Sequence, residues 1–232
     1  METQQAIKER PILFSAPMVR AILSGAKTQT RRIVKPQPSL SIEAVKPEWA
    51  AEWIESIGKQ FVVNRGLWKH DFPKASLLAH EFVACPYGQP GDRLYVRETW
   101  ACPKQLGGSF VREKAKYRAD YEDFATVAVG AMGGWKPSIH MPRTLSRLLL
   151  EIVSVRVERL MDISEEDAKA EGVNLVHVNK KGGQEWENYL DDWAFEYFAK
   201  DSYATLWEKI NGLGSWATNP WVWVVEFKRV EA

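Results

Sequence analysis

The residues best suited to chemistry lie in one short polar segment. Lys27-Thr28-Gln29-Thr30-Arg31-Arg32 contains three cations and two hydroxyl groups. The β-branched residues of this segment favour a strand, whose period of two would place Thr28, Thr30 and Arg32 on one face. A run of this kind is most often a solvated strand edge. The same cations can also form a pocket for an anionic or polar ligand, in which the guanidinium of Arg32 would hold a phosphate by a forked contact.

A second set of candidates lies on either side of the middle of the chain. Ser138 and His140 can hydrogen-bond a base edge, and Arg143 can hold a phosphate, if this irregular stretch reaches a barrel mouth. A histidine in a loop is more often only a surface residue. Glu98 follows Arg97, so it is either one half of a cross-strand ion pair or a general base.

Composition excludes several classes of protein. The 232 residues include 31 basic and 30 acidic side chains, for a net charge of +1. A protein that grips long nucleic acid mainly through its phosphates would be far more basic, so any such contact must be local. Neither the two cysteines nor the four histidines have metal-ligand spacing, which predicts no disulfide, no metal and no cofactor. The sequence contains no P-loop, dinucleotide fingerprint, nucleophile elbow or H-E-x-x-H motif.

The chain is expected to be a cytoplasmic protein without a membrane segment. No apolar run approaches the roughly 20 residues that span a bilayer. The first ten residues are polar and charged, without the apolar core of a signal peptide. Protein partners do not follow from the sequence.

Local signals predict the elements that position the polar segment. A strand at 11–14 precedes a helix whose N-cap is Ser15 and whose stop signal is Gly25, and the polar strand spans 27–34. Further strands are predicted at 93–100, 147–159 and 220–230. In the strand at 147–159, Val153, Val155 and Val157 should form the buried face, and Ser154, Arg156 and Glu158 the solvated one.

Two helices are predicted in the second half of the chain. Ser164-Glu165-Glu166-Asp167 has the character of a capping box, and Gly172 closes the helix, which puts Glu171 in its last turn. A second helix is expected at about 186–210. The predicted fold is one α+β domain over 1–232, built on a small barrel or curled sheet flanked by short helices. Insertions are expected at about 36–89, with a short helix at 47–57, and at 101–141.

The polar segment also resembles a known family. Gly25 to Arg32 resembles the G-x-K-T-x-T-x-R signature of the ASCH domain, which is related to the RNA-binding PUA fold. The segments at 91–96, 163–172 and 221–227 resemble its later strand, helix and closing strand in the family's order. The segments at 10–15, 140–143 and 219–223 resemble the larger members, which are often encoded by phages or prophages. The resemblance implies a PUA-like sheet.

The resemblance also implies an activity and a set of residues. Small ASCH proteins similar to this chain in their core are amidohydrolases that remove the acetyl group from N4-acetylcytidine. By position, Lys27 would be the proton acceptor, Thr30 the nucleophile and Glu171 the proton donor. Thr28, Arg31, Arg32, Glu98, Ser138, His140 and Arg143 are the candidates for substrate binding.

Three functions remain open from the sequence. The first is hydrolysis of an amide in a nucleoside or a related small molecule. The second is a non-catalytic RNA-binding module, in which Arg32 would matter and the hydroxyl of Thr30 would not. The third is a metal-independent ribonuclease that uses the cationic cluster to hold phosphate, with Glu98 or His140 as the general base.

Overall fold

A five-stranded mixed sheet forms the centre of the protein. The computed structural model describes residues 7–37, 42–44, 67–70, 81–103, 110–121, 133–178, 180 and 182–230, with the backbone alone for 42–44, 67–70 and 81–84. The elements in chain order are β1 (Glu9–Leu13), α1 (Ala16–Leu23), β2 (Gln29–Ile33), β3 (Ile42–Ala44), β4 (Leu67–His70), β5 (Glu81–Ala84), β6 (Arg93–Arg97), β7 (Trp100–Ala101), β8 (Lys116–Tyr117), β9 (Leu149–Arg159), α2 (Glu165–Ala170), β10 (Leu175–Val178), β11 (Gln184–Glu187), β12 (Phe195–Glu196), α3 (Ala199–Asn211) and β13 (Trp221–Val230).

The strand order of the central sheet is β1-β6-β9-β13-β2. β1 and β6 are parallel, and the other neighbours are antiparallel. Among the described residues, β1 and β2 are the two edges, so the sheet is open and does not close into the barrel that was one of the two expected forms. The predicted α+β class is confirmed, with few helices packed around a multi-stranded sheet.

Strand β13 is buried on both faces. Trp223, Val225 and Phe227 belong to a cluster that also contains Phe14 and Leu94. Val222 and Val224 face the opposite way, into a second cluster with residues of α2 and α3. A strand covered on both sides is expected to be an almost continuous apolar run, as this one is. Its neighbour β2 is an edge strand of the sheet.

Strand β9 differs from its predicted pattern at one residue. Val153, which was expected in the buried face, is 51% exposed. The register between β9 and β13 shifts between Glu226 and Phe227, which pair with Ser154 and Ile152, so Val153 is the extra residue of a β-bulge. A bulge leaves one residue unpaired and turns it out of the alternation. Val155 and Val157 do pack on the core, as predicted.

The predicted helix at 186–210 is wrong over its first half. Residues 184–187 and 195–196 are strands, and α3 begins only at Ala199. In the loop between these strands, the side chain of Asn188 accepts hydrogen bonds from the backbone N–H groups of Leu190 and Asp191. Such local acceptors compete with the helical pattern. The carboxylate of Glu165 then accepts from the first two backbone N–H groups of α3.

The two expected insertions are only partly described. In the first, β3, β4 and β5 form an antiparallel sheet, which the sequence did not predict. The short helix expected at 47–57 lies outside the described residues. In the second, β8 pairs with β7 as a two-stranded sheet. No helix in the described part of the chain is long and apolar enough to cross a membrane.

Candidate functional site

The turn after α1 brings Lys27 to a residue far along the chain. Gly25 has φ +81°, which reverses the backbone after the helix. The N–H of Lys27 then donates to the carbonyl of Ala21 at 3.0 Å. Lys27 forms an isolated antiparallel bridge with Glu171, the C-cap of α2, and the N–H of Thr28 donates to Ala170 at 2.8 Å. Two segments separated by 144 residues thus meet backbone to backbone.

Lys27 and Glu171 form a buried ion pair. Lys27 Nζ lies 2.8 Å from Glu171 Oε2 and donates a second hydrogen bond to the Glu171 carbonyl at 2.7 Å. The two residues are 2% and 3% exposed. Arg31 Nη1 lies 3.2 Å from the other carboxylate oxygen, Oε1. A cation therefore faces each oxygen of Glu171.

Further ion pairs connect Arg31, and through it the Lys27–Glu171 pair, to neighbouring elements. Arg31 also contacts Asp167 Oδ2 at 2.9 Å and Glu158 Oε1 at 3.1 Å through Nε. Arg156 lies 2.7 Å from the same Asp167 oxygen, 3.1 Å from Glu158 Oε2, and pairs with Glu226. Burial alone would raise the pKa of Asp167, but the guanidinium groups of Arg31 and Arg156 hold it below its usual value. The network thus anchors α2 to β2 and β9.

Burial lowers the pKa of Lys27 below its usual value of 10.5, although Glu171 opposes this shift. The nearby charges of Arg32 and Arg31 lower it further. The ring centroid of Phe14 lies 5.7 Å from Nζ, so one side of the ammonium group faces an aromatic ring instead of water. The contact with the Phe14 ring, like Glu171, favours the ammonium form. Burial outweighs these effects, so Lys27 loses its proton more readily than a solvated lysine, as a general base must.

Thr30 lies on the opposite face of β2 from Arg31. It pairs in register with Val225 and is 3% exposed. It lines a cavity of about 70 Å³ together with Glu171 and Arg32. A bound water occupies about 30 Å³, so this space accommodates a group of two or three heavy atoms. The cavity wraps the free edge of β2 between α1 and α3.

A larger groove of about 1250 Å³ adjoins this cavity. Its walls come from α1, α2, the β10–β11 hairpin and α3, and Thr28 is among its lining residues. Four residues line both spaces: Met18, Glu171, Leu206 and Ile210. Glu171 therefore stands where the groove meets the cavity of Thr30. Ligand pockets for small molecules commonly have a volume of about 300–1,000 Å³, so the groove is large enough for a nucleoside.

The structure brings six of the ten candidate residues together. Lys27 and Glu171 form the buried pair, and Thr30, Arg31, Arg32 and Glu171 line the small cavity, whereas Lys27 lines neither space. Thr28 lies in the adjoining groove. Thr30 and Arg32 are expected on one face of the strand. Their partners on β13, Val225 and Trp223, lie in one cluster, which agrees with this prediction. Arg32 donates to the carbonyl of Leu13 at 2.7 Å, and its guanidinium lies 5.5 Å from the centroid of Phe14.

The other four candidates line neither of these two spaces. Glu98 is 1% exposed, and both of its oxygens bind Arg147, at 2.8 and 3.1 Å, so its partner is not the adjacent Arg97. Arg143 pairs with Glu9 at 2.8 Å and lies over the ring of Tyr95. Ser138 and His140 belong to a 3-10 turn, in which Ser138 is half-buried and His140 is exposed.

Sequence reasoning missed the residues that support the site. Arg156 and Glu158 alternate with valines in β9 and were interpreted as a solvated face, whereas they complete the charge network around Arg31. Asp167 was interpreted only as a helix-start residue. Tyr203, Leu206 and Ile210 repeat at helical spacing and line the cavity, but apolar residues at this spacing indicate packing and not a ligand site.

No protein-family model matches this chain, and neither a curated protein nor a solved structure matches it. The class of protein is therefore given by the fold and the site: an α+β protein with a buried lysine–glutamate pair between two cavities. Within the described residues, no group of three or more His, Cys, Asp or Glu side chains is placed to hold a metal ion.

We expect Gly172→Ala to disturb the site directly. Gly172 has φ +81°, and a Cβ there would lie 2.8 Å from the Cβ of Lys27 and 3.0 Å from that of Ala21. Gly25 has the same φ, but a Cβ there would have nothing within 4 Å. Gly25→Ala is therefore a matched control for backbone strain alone. Gly172→Ala should lower the free energy of unfolding by about 1–3 kcal/mol more than the control does, measured by urea denaturation. Equal losses would contradict the close approach of Gly172 to Lys27.

Proposed function

We propose that this chain is an ASCH-type amidohydrolase with a PUA-like curled sheet, and that it cleaves an amide such as that of N4-acetylcytidine. The observation that carries the proposal is the buried contact of 2.8 Å between Lys27 Nζ and Glu171 Oε2, beside a cavity that Glu171 shares with Thr30. The nucleoside would occupy the adjoining groove, with its acyl group in the small cavity.

The proposed reaction has two steps. Thr30 Oγ1 attacks the amide carbonyl carbon while neutral Lys27 takes the hydroxyl proton, because a threonine hydroxyl needs a nearby base to act as a nucleophile. The C–N bond breaks as Glu171 donates a proton to the leaving amine. Water then attacks the acyl-threonine ester, releases acetate and restores the hydroxyl of Thr30.

The hydrogen bond between Lys27 and Glu171 gives a path for the proton. A proton taken from Thr30 can pass from Nζ to Oε2 across 2.8 Å. Arg31 Nη1 lies 3.2 Å from the other carboxylate oxygen and orients the Glu171 side chain, so that Oε2 faces Lys27. Lys27 and Glu171 then act as one coupled pair.

The geometry favours this activity over the ribonuclease. A general base for RNA cleavage must reach the phosphate held by the cationic cluster. Both oxygens of Glu98 are bound to Arg147, and His140 is exposed in a different turn. Neither residue lines the cavity or the groove that meet at Glu171. A non-catalytic RNA-binding module would use the same groove. Acetate release distinguishes the amidohydrolase from such a module.

The test is acetate release from N4-acetylcytidine by the wild type, Lys27→Ala and Lys228→Ala at equal concentration. Removal of a general base lowers the rate by about 10²–10⁴-fold. We expect this loss in Lys27→Ala and no loss in Lys228→Ala, because Lys228 is 60% exposed on β13, where it pairs with Glu151. RNA-binding titrations run in parallel. No release by the wild type, with RNA affinity that falls in Arg32→Ala, would support the RNA-binding module instead.

The pH dependence of the wild type identifies the base. Only the neutral amine of Lys27 accepts a proton, so kcat/KM should rise with pH as this group loses its proton. Burial lowers the pKa of Lys27, so the midpoint of this rise should lie below 10.5. A midpoint at or above 10.5 would indicate a solvated lysine and would contradict the role of Lys27.

A further inference from the structure

The segment 184–198, which runs from β11 to the start of α3, exposes a group of large apolar side chains. We refer to it as the acidic-aromatic surface. Trp193 is 93% exposed, and the same segment contains four further exposed apolar side chains: Leu190 (46%), Phe195 (47%), Tyr197 (74%) and Phe198 (61%). Several large apolar groups exposed together on one segment mark an interaction site more often than isolated ones do.

The charged residues of this segment all have one sign, although Lys169 of α2 and Lys209 of α3 lie over its Trp186 and Tyr189 rings. Its five titratable acids are Glu185, Glu187, Asp191, Asp192 and Glu196, and the segment contains no lysine, arginine or histidine. In the part of the chain that the structure describes, none of these five carboxylates forms a salt bridge. Carboxylates that the fold leaves unneutralised are available to a partner.

The fold holds the surface in one conformation. Asn188 accepts hydrogen bonds from two backbone N–H groups of the loop, and Asp191 accepts from the N–H of Trp193 at 2.9 Å. Strand β11 is held in place, because Trp186 is buried and the carbonyl of Glu187 accepts from Ser202 at 2.6 Å, and β12 pairs with β11. A preorganised surface loses less conformational entropy when it binds.

We propose that the acidic-aromatic surface docks a cationic polypeptide segment rich in arginine. Charge complementarity identifies this partner. A guanidinium group is attracted to the face of an exposed indole and forms forked contacts with carboxylates, and this surface displays both. Phosphate backbones and anionic lipid surfaces would be repelled by the five carboxylates. A symmetric dimer through this surface would place two copies of the same acidic segment against each other.

The test uses an alternating Arg-Gly peptide of about 12 residues, labelled for fluorescence anisotropy, and a Glu-Gly peptide as its control. The wild type should bind only the Arg-Gly peptide, and more weakly as salt is added. Trp193→Ala should weaken the binding at least about tenfold, because exposed aromatic anchors dominate such interfaces. Asp192→Asn should weaken it as well. Leu213→Ala and Glu113→Gln, which alter exposed residues of other loops, are the matched controls.

Three outcomes would overturn the proposal. The first is no binding of the Arg-Gly peptide by the wild type. The second is equal weakening in Trp193→Ala and Leu213→Ala, which would indicate a general effect of exposed apolar groups. The third is a wild-type dimer in sedimentation velocity that Trp193→Ala dissociates, which would assign the surface to a second copy of the chain.

Discussion

Thr30→Val is expected to abolish acetate release while leaving the fold intact. Valine has the shape of threonine and suits an edge strand, but it has no hydroxyl to attack the carbonyl. Loss of a catalytic nucleophile lowers kcat by about 10⁶-fold in a well-studied serine protease, so a loss of at least about 10³-fold is expected here. Release of acetate from N4-acetylcytidine at saturating substrate measures kcat.

Two further variants make this experiment decisive. Thr30→Ser retains a hydroxyl and should keep part of the activity. Thr144→Val makes the same exchange at an exposed residue that lines neither cavity and should have no effect. Full activity in Thr30→Val would exclude Thr30 as the nucleophile and would leave attack by water, with Lys27 and Glu171 as the remaining groups.

Arg31→Met is expected to cause the largest loss of stability. The Arg31 side chain is fully buried and faces Glu158, Asp167 and Glu171. Removal of one partner from a buried ion pair costs about 3–5 kcal/mol, because the remaining charges are left without compensation. Urea denaturation measures this loss without screening the charges. Arg143→Met is the matched control, since the guanidinium of Arg143 is 40% exposed and its pair with Glu9 contributes at most about 1 kcal/mol.

The loss in Arg31→Met should depend on pH in a defined direction. Arg31 and Arg156 together overcome the effect of burial and lower the pKa of Asp167 from 3.8. The stability that this shift contributes is present above pH 3.8 and is lost as the pH falls through the lower folded-state value. The difference in the free energy of unfolding between wild type and Arg31→Met should therefore become smaller below pH 3.8. A constant difference would show that the loss arises from packing and not from charge.

Elements with signals at their own ends were predictable from the sequence. Ser15, Pro17 and Gly25 bracket α1, although the side chain of Ser15 makes no capping hydrogen bond. Ser164 does cap α2, where its hydroxyl accepts from the N–H of Asp167 at 3.1 Å. Cap and turn preferences act over three or four residues, so sequence alone is sufficient there.

The helix predicted at 186–210 failed because its apolar residues do not all face one core. Trp186 is buried from a strand, whereas Trp193 is exposed in a turn that Asn188 and Asp191 stabilise. Periodicity cannot separate a buried strand from a helix in a short apolar run. The bulge that exposes Val153 likewise depends on pairing with β13, which is far away in the chain.

The sequence by itself determined the α+β class, the elements around α1, β2 and α2, and a concentration of cations and hydroxyls in 27–32. Only the tertiary structure decided which of these groups meet. It paired Lys27 with Glu171, bound Arg31 to three carboxylates and placed Thr30 in a cavity that Glu171 also lines. The physical reason is distance along the chain: preferences for caps and strands act between neighbours, whereas burial and ion pairing depend on which distant segments pack together.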